Sequence, residues 1–283
     1  MSITLFDTFI RHRRYVDNYS EKTISTYIQA MRTWKRVLGG KEIDKQYLKD
    51  FVIGMREANI SPASCNVYIK AFNGYLNWLY ENEYISEPLH IKHLKAEKKI
   101  IKPFADTQLK AIINFKPKKF CEQRLHTLLL LLIDTGVRID EALSLRRDDV
   151  DFDSLLIRVK GKGKKQRFVP FSLELRKSLY KFLSNHRFEL VFCTRNGTKY
   201  SYVNSWRDFR ILASKLGIDG LRVSPHTLRH TFARNYLRQG GNVFYLCKAL
   251  GHTNIQTTKQ YIEVETEDLR ETHLKTSILS RLR

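Results

Sequence analysis

The stretch Ser224-Pro225-His226-Thr227-Leu228-Arg229-His230 reads as the opening of a helix. Ser224 suits the N-cap, where its hydroxyl can accept from a backbone N–H of the first turn. Pro225 suits the first helical position, where no N–H is needed. His226 and Arg229 then share one face near the helix N-terminus, where an anion is favoured. Leu228, Phe232 and Tyr236 form the neighbouring stripe that anchors the helix. Downstream lies Leu250-Gly251-His252-Thr253-Asn254-Ile255-Gln256-Thr257-Thr258-Lys259-Gln260-Tyr261. Gly251 is placed to close a helix that begins after Asn242. Tyr261 falls in a short helix with Ile255 and Ile262. Arginine, imidazoles and a phenol can together handle a phosphate, although each alone is by default a surface or packing residue.

Working outward, the second part of the chain starts near Phe104. Helical patterns cover residues 107–114, 122–134 and 138–145, with Gly136 breaking the second from the third. Residues 155–159 and 167–170 read as two strands. Gly161-Lys162-Gly163-Lys164 makes the turn between them, since glycine tolerates positive φ. Further helices are expected at about 172–184, 201–216, 225–239 and 243–250. The fold class is therefore mainly α with a small antiparallel sheet.

The first part reads as a helical bundle of about four helices. Ser20 is a candidate N-cap, followed by Ile24, Tyr27, Met31 and Trp34 at helical spacing. Residues 44–58 carry Leu48, Phe51, Val52 and Met55. Ser61-Pro62 opens another helix, with Val67, Ile69, Phe72, Tyr75, Leu76 and Leu79 as its apolar positions. The domain boundaries expected are 1–95, a basic linker at 96–103, and 104–283. The strongly basic stretch 90–102 is read either as an interdomain linker lying on a polyanion or as a solvated charged segment.

Bulk properties narrow the function classes. Of 283 residues 42% are hydrophobic, enough for two cores, while 50 Lys+Arg against 29 Asp+Glu give a net charge of +21. Such an excess suits a polyanionic partner, because each phosphate contact releases condensed counterions. Cys65, Cys121, Cys193 and Cys247 are scattered, with neither metal-ligand nor disulfide-framework spacing. No secretory h-region is visible, and the longest apolar run, residues 128–133, is too short to span a bilayer. A cytoplasmic, nucleoid-associated protein without a membrane partner is expected.

Cleaving a phosphodiester with a side chain needs a nucleophile, cations on the non-bridging oxygens, a proton acceptor and an acid for the leaving oxygen. Arg138, in Thr135-Gly136-Val137-Arg138-Ile139-Asp140-Glu141, can fork two phosphate oxygens or can pair with Asp140 or Glu141. Lys162, at the hairpin tip, can deliver a proton or simply face solvent. Lys160, Lys164, Lys165 and Arg167 around it are candidate DNA-backbone contacts.

The ordered set is more specific than its parts: Thr-Gly-x-Arg-x-x-Glu, then strand–Gly-Lys-Gly–strand, then Pro-His-x-Leu-Arg-His, then Leu-Gly-His, then Tyr. It resembles the tyrosine recombinases, the lambda-integrase and Xer-like family. Ser20-x-x-Thr23-x-x-x-Tyr27 resembles the start of that family's core-binding domain. The resemblance implies an N-terminal core-binding domain and a C-terminal catalytic domain that clamp a double-stranded DNA recombination site. It implies that Arg138 and Arg229 hold the scissile phosphate, and that Lys162 protonates the departing 5′ oxygen. His226 would move protons and His252 would hydrogen-bond the phosphate. Tyr261 would attack phosphorus to give a 3′-phosphotyrosyl bond, with Glu141 as structural support. An unperturbed tyrosine has a pKa of about 10, so the phenol needs this company. The covalent link conserves the phosphodiester energy, so no cofactor, ATP or metal is required. A homotetramer exchanging strands through a Holliday junction is implied, with the tail after Tyr261 docking on a neighbouring protomer or, alternatively, packing within its own chain. The biological role implied is dimer or cointegrate resolution, or integration and excision of a mobile element. The rival readings are a type IB topoisomerase and a non-catalytic DNA-binding regulator of the same fold.

Overall fold

The computed structural model describes residues 3–38, 45–97, 101–161 and 166–251, together with residues 277 and 279. Lys162, Lys164, Lys165, His252, Tyr261 and the helix expected around Tyr261 lie outside the described residues, as does nearly all of the tail. The chain divides into two compact units, Met1–Lys99 and Ile100–Arg283.

Among the described residues, the first unit packs four helices, α1 (Ile3–Tyr15), α2 (Glu21–Leu38), α3 (Lys45–Glu57) and α4 (Pro62–Glu81). Ser20 precedes α2, and its hydroxyl accepts from the Thr23 amide at 3.3 Å. Ser61 caps α4 through the Ser64 amide, with Pro62 in the first turn. These caps relieve amides that have no partner inside the helix. Helix α4 is the axis of the bundle and meets each of the other three. Its Cys65, Ile69, Phe72, Leu76 and Leu79 are buried against Phe9, Ile24, Trp34, Phe51 and Met55. The core is rich in rings: Phe9 meets Tyr27 edge-on at 5.1 Å and Phe51 meets Phe72 at 5.3 Å. Phe6, Phe9 and Ile10 of α1 belong to this core. The basic stretch 90–102 does not behave as one linker, because Ile91 is buried in the first unit.

The second unit is built around α6 (Phe120–Thr135). Its Leu125, Leu128, Leu129, Leu131 and Leu132 are all buried, so the apolar run seen in the sequence is a central helix covered on most sides. The Glu122 side chain accepts from the Lys118 and Lys119 amides and starts the helix; those two bonds hold its carboxyl below the usual range. Around α6 stand α5 (Asp106–Ile113), α7 (Ile139–Ala142), α8 (Leu173–Leu183), α9 (Tyr202–Lys215) and α10 (Pro225–Arg238), and α11 (Val243–Leu250) packs on α10.

The sheet is antiparallel, in the order β1 (Val150–Asp151), β2 (Leu156–Lys160), β3 (Gln166–Pro170). The pairings Ile157–Val169 and Val159–Arg167 set its register. Strand β1 has two residues and no readable alternation, so the sequence pattern did not show it. The helix expected over 138–145 is only four residues long. After Ala142 the chain turns towards Leu145, whose carbonyl accepts from the Val191 amide.

Candidate active site

Helix α10 opens as its sequence dictates. The Ser224 hydroxyl accepts from the Thr227 amide at 3.2 Å and Pro225 fills the first turn. Leu228 and Ala233 are fully buried, which fixes the rotation of the helix. That rotation turns Arg229 inward, to 2% exposure, and leaves His226 facing out.

Arg229 bridges two helix ends. Its Nη1 donates to the Gly136 carbonyl at 2.8 Å and its Nη2 to the Leu250 carbonyl at 2.8 Å. Gly136 closes α6 and Leu250 is the last residue of α11. Both are C-termini, where backbone carbonyls carry the negative end of the helix dipole and favour a cation. Gly136 is needed twice over. Its φ is +61°, and a Cβ there would stand 2.2 Å from the Phe232 ring.

Arg138 meets Arg229 at the same carbonyl. Its Nη1 donates to Leu250 at 3.1 Å and its Nη2 to Gly251 at 3.3 Å. Nη1 also pairs with Glu141 at 3.1 Å, and the Arg138 amide donates to the same carboxylate at 2.8 Å. Of the two roles open to Arg138, the structure shows the ion pair, yet the side chain remains 41% exposed.

Arg167 corrects the reading of the sequence. It was expected on DNA, but it lies across from buried Val159 and so shares the inward face of the hairpin. Its Nη1 and Nη2 fork Glu141 at 2.9 and 2.8 Å, and its Nε donates to the Ala249 carbonyl at 2.7 Å. The two-residue spacing of Arg167 and buried Val169 along β3 was the available signal. Gly251 makes room for this guanidinium. It has φ +65°, and a Cβ would come within 2.8 Å of Arg167 Nη1. Lys160, by contrast, is exposed at the end of β2.

Glu141 is the hub of the cluster. Burial would raise its pKa, but the Arg167 fork, the Arg138 amide and the two guanidinium charges outweigh it and hold the carboxyl below its ordinary value. Paired and hydrogen-bonded in this way, the buried charge is tolerated.

Two imidazoles stand beside the arginines. The His226 and His230 rings meet edge-on with centroids 5.8 Å apart. Desolvation by the surrounding protein lowers the pKa of His226, and the charges of Arg229, Arg222 and Arg138 lower it further. Burial, then His226 and Arg229, push His230 down to about 4. Both rings are therefore neutral at neutral pH, and His226 can accept a proton. The structure thus gathers Arg138, Arg229, His226 and Glu141. His230 joins them, one turn after His226 on the same helix.

The phage integrase family matches residues 89–268, well over half of the chain. The chain belongs to the phage integrase family. It is 30% identical to the tyrosine recombinase XerC of Bacillus subtilis (strain 168), over 94% of this chain and 93% of that one. It is 28% identical to the tyrosine recombinase XerA of Thermococcus kodakarensis, over 98% and 95%. Among solved structures, the fold is similar to that of the Tn1549 transposon integrase in complex with transposon right-end DNA. There the TM-score is 0.81 at 21% identity, covering 96% of this chain and 98% of that one. A lambda integrase dimer bound to a COC′ core site gives 0.77 at 17%, over 93% and 96%. The protein is a tyrosine-type site-specific recombinase.

Proposed function

We propose that this recombinase cleaves and rejoins duplex DNA through Tyr261, with Arg138 and Arg229 on the scissile phosphate. The observation that carries this reading is the meeting of both guanidiniums at the Leu250 carbonyl, two residues before His252. The Tyr261 phenol oxygen attacks phosphorus. The new O–P bond forms as the bond to the 5′ oxygen breaks. Neutral His226 takes the phenol proton, and Lys162 gives a proton to the departing oxygen. His252 hydrogen-bonds a non-bridging oxygen. The products are a 3′-phosphotyrosyl bond and a free 5′ hydroxyl, and attack by a 5′ hydroxyl on that bond rejoins the strand.

The arginines act through charge that is already in place. A pentavalent phosphorus carries more negative charge than the ground state, and fixed donors stabilise it without reorganising. Glu141 supports them by tying Arg138 and Arg167 to the end of α11. Lys160, Lys164 and Lys165 contact the DNA backbone. Residues 1–95 serve as the core-binding domain, 96–103 as the linker and 104–283 as the catalytic domain. Four protomers on two synapsed sites exchange strands through a Holliday junction, with the tail docking on a neighbour. The work of the enzyme is resolution of dimers or cointegrates, or integration and excision of a mobile element, in the cytoplasm.

The test is a half-site suicide substrate, from which the cut 5′ end diffuses away. The wild-type chain should accumulate a covalent protein–DNA adduct, and Tyr261→Phe should give none. An adduct of undiminished yield from Tyr261→Phe would overturn the assignment.

A further inference from the structure

Of the three asparagines in helix α4, Asn66 and Asn73 stand seven residues apart on one face. Neither supports the helix. The Asn73 amide donates to the Ile91 carbonyl at 2.9 Å and accepts from the Ile91 amide at 2.9 Å. Asn66 does the same to Leu94, at 2.9 and 2.7 Å. Each side chain thus satisfies both backbone groups of one residue, as a neighbouring β-strand would.

The spacing explains why two clamps fit. Seven residues of α-helix rise about 10.5 Å. Three residues of extended chain span roughly 10 Å. Residues 91–97 lack regular secondary structure, and this stretch runs antiparallel to α4, with Ile91 buried and Leu94 half-buried beneath it. The outward side is then fixed as well: His90, Lys92, His93 and Lys95 are all exposed. A basic stretch that composition alone would leave free is laid out as a strap with Lys92 and Lys95 exposed.

We infer that Asn66 and Asn73 are positioning residues for DNA binding: they hold residues 91–94 so that Lys92 and Lys95 meet successive phosphates of the recombination site already ordered. This rests on the DNA-cleaving function proposed above. A free segment must lose its backbone freedom when it binds, and the clamps remove that loss beforehand. The lysines supply the electrostatic part, and the asparagines supply its preorganisation.

Separate variants test the two parts on the full-length chain with its duplex site. Lys92→Gln with Lys95→Gln should lower the slope of log affinity against log salt by about 1.8, near 0.9 for each phosphate contact. Asn66→Ala should speed hydrogen exchange at the Leu94 amide and weaken binding by roughly tenfold, leaving the salt slope unchanged. Asn66 is only partly buried, so this variant spares the bundle core; Asn73→Ala repeats the experiment at Ile91. An unchanged salt slope in the double lysine variant overturns the strip. Faster exchange in Asn66→Ala without weaker binding overturns the positioning role. Covalent adduct on the suicide substrate is scored in parallel. Its persistence alongside either negative result rejects the strap alone, whereas its absence from the wild-type chain rejects the underlying function.

Discussion

Arg124 and Arg229 are both buried in the second unit, yet their surroundings differ in charge. Arg124 lies over the Tyr200 ring, 3.7 Å from its centroid, donates to the Cys193 carbonyl at 3.0 Å and stands 3.9 Å from Asp208. The Tyr200 hydroxyl also donates to Asp208, at 2.7 Å. Burial, with Asp208 beside it, pushes the Tyr200 hydroxyl well above the usual tyrosine range. This arginine braces α6, α9 and the 193–199 turn, and its charge is answered by a carboxylate and a ring face. Arg229 is held by carbonyls of two helix ends, beside Arg138 and Arg167, which share Glu141. A guanidinium answered locally is a brace. Beside Arg229, two further guanidiniums share the single carboxylate of Glu141, and such a gathering of positive charge favours an incoming anion.

The sharpest way to break this contrast is to change each arginine and compare rates. Arg229→Lys keeps a charge but loses the fork, and adduct formation should slow by about 100- to 1,000-fold, with DNA binding changed only severalfold. Arg124→Met should leave adduct formation per folded molecule within about twofold. Equal rate losses would erase the distinction. Glu141→Gln comes next. Removing one member of a buried ion cluster should cost about 3–5 kcal/mol, read as a lower denaturation midpoint with an unchanged slope. Arg124→Met should cost less, about 2–3 kcal/mol in the same titration, since Asp208 keeps its bond from Tyr200.

The smallest effect is the pH dependence. The unfolded chain takes up a proton at an ordinary histidine near pH 6.5, whereas folded His230 takes it up only at about 4. Between those values the unfolded state binds more protons, so stability should fall as pH falls from about 6.5 to about 4. His230→Asn should flatten that stretch. Below it Glu141 takes over: its depressed pKa contributes stability above the ordinary carboxylate value, and this is lost as the group finally protonates. A His230→Asn profile as steep as that of the wild type would show that the ring is not desolvated.

Much of this was legible in residue order because it rests on local geometry. Ser224 and Pro225 start α10 through backbone amides within three residues, and Gly251 ends α11 through its own φ. Such features need only a short window, as does the apolar periodicity of α2 and α4. The direction of Arg167 was not legible in the charge of the Gly-Lys-rich turn beside it, because strand register decides which way a side chain points. Strand β1 was unseen because two residues define no period.

The sequence by itself determined most of the helices among the described residues, the two main strands, and the ordered residues that resemble a tyrosine recombinase, because each depends on spacing along the chain. Only the tertiary structure decided who answers whose charge. Arg138 and Glu141 are near neighbours in sequence, but Arg167 reaches Glu141 across 26 positions, and Arg138 reaches Leu250 across 112. Asn66 clamps Leu94 across 28. Bonds of that span are set by the buried faces of α4, α6 and α10, which fix the rotation of each helix and so the direction of every polar side chain it carries.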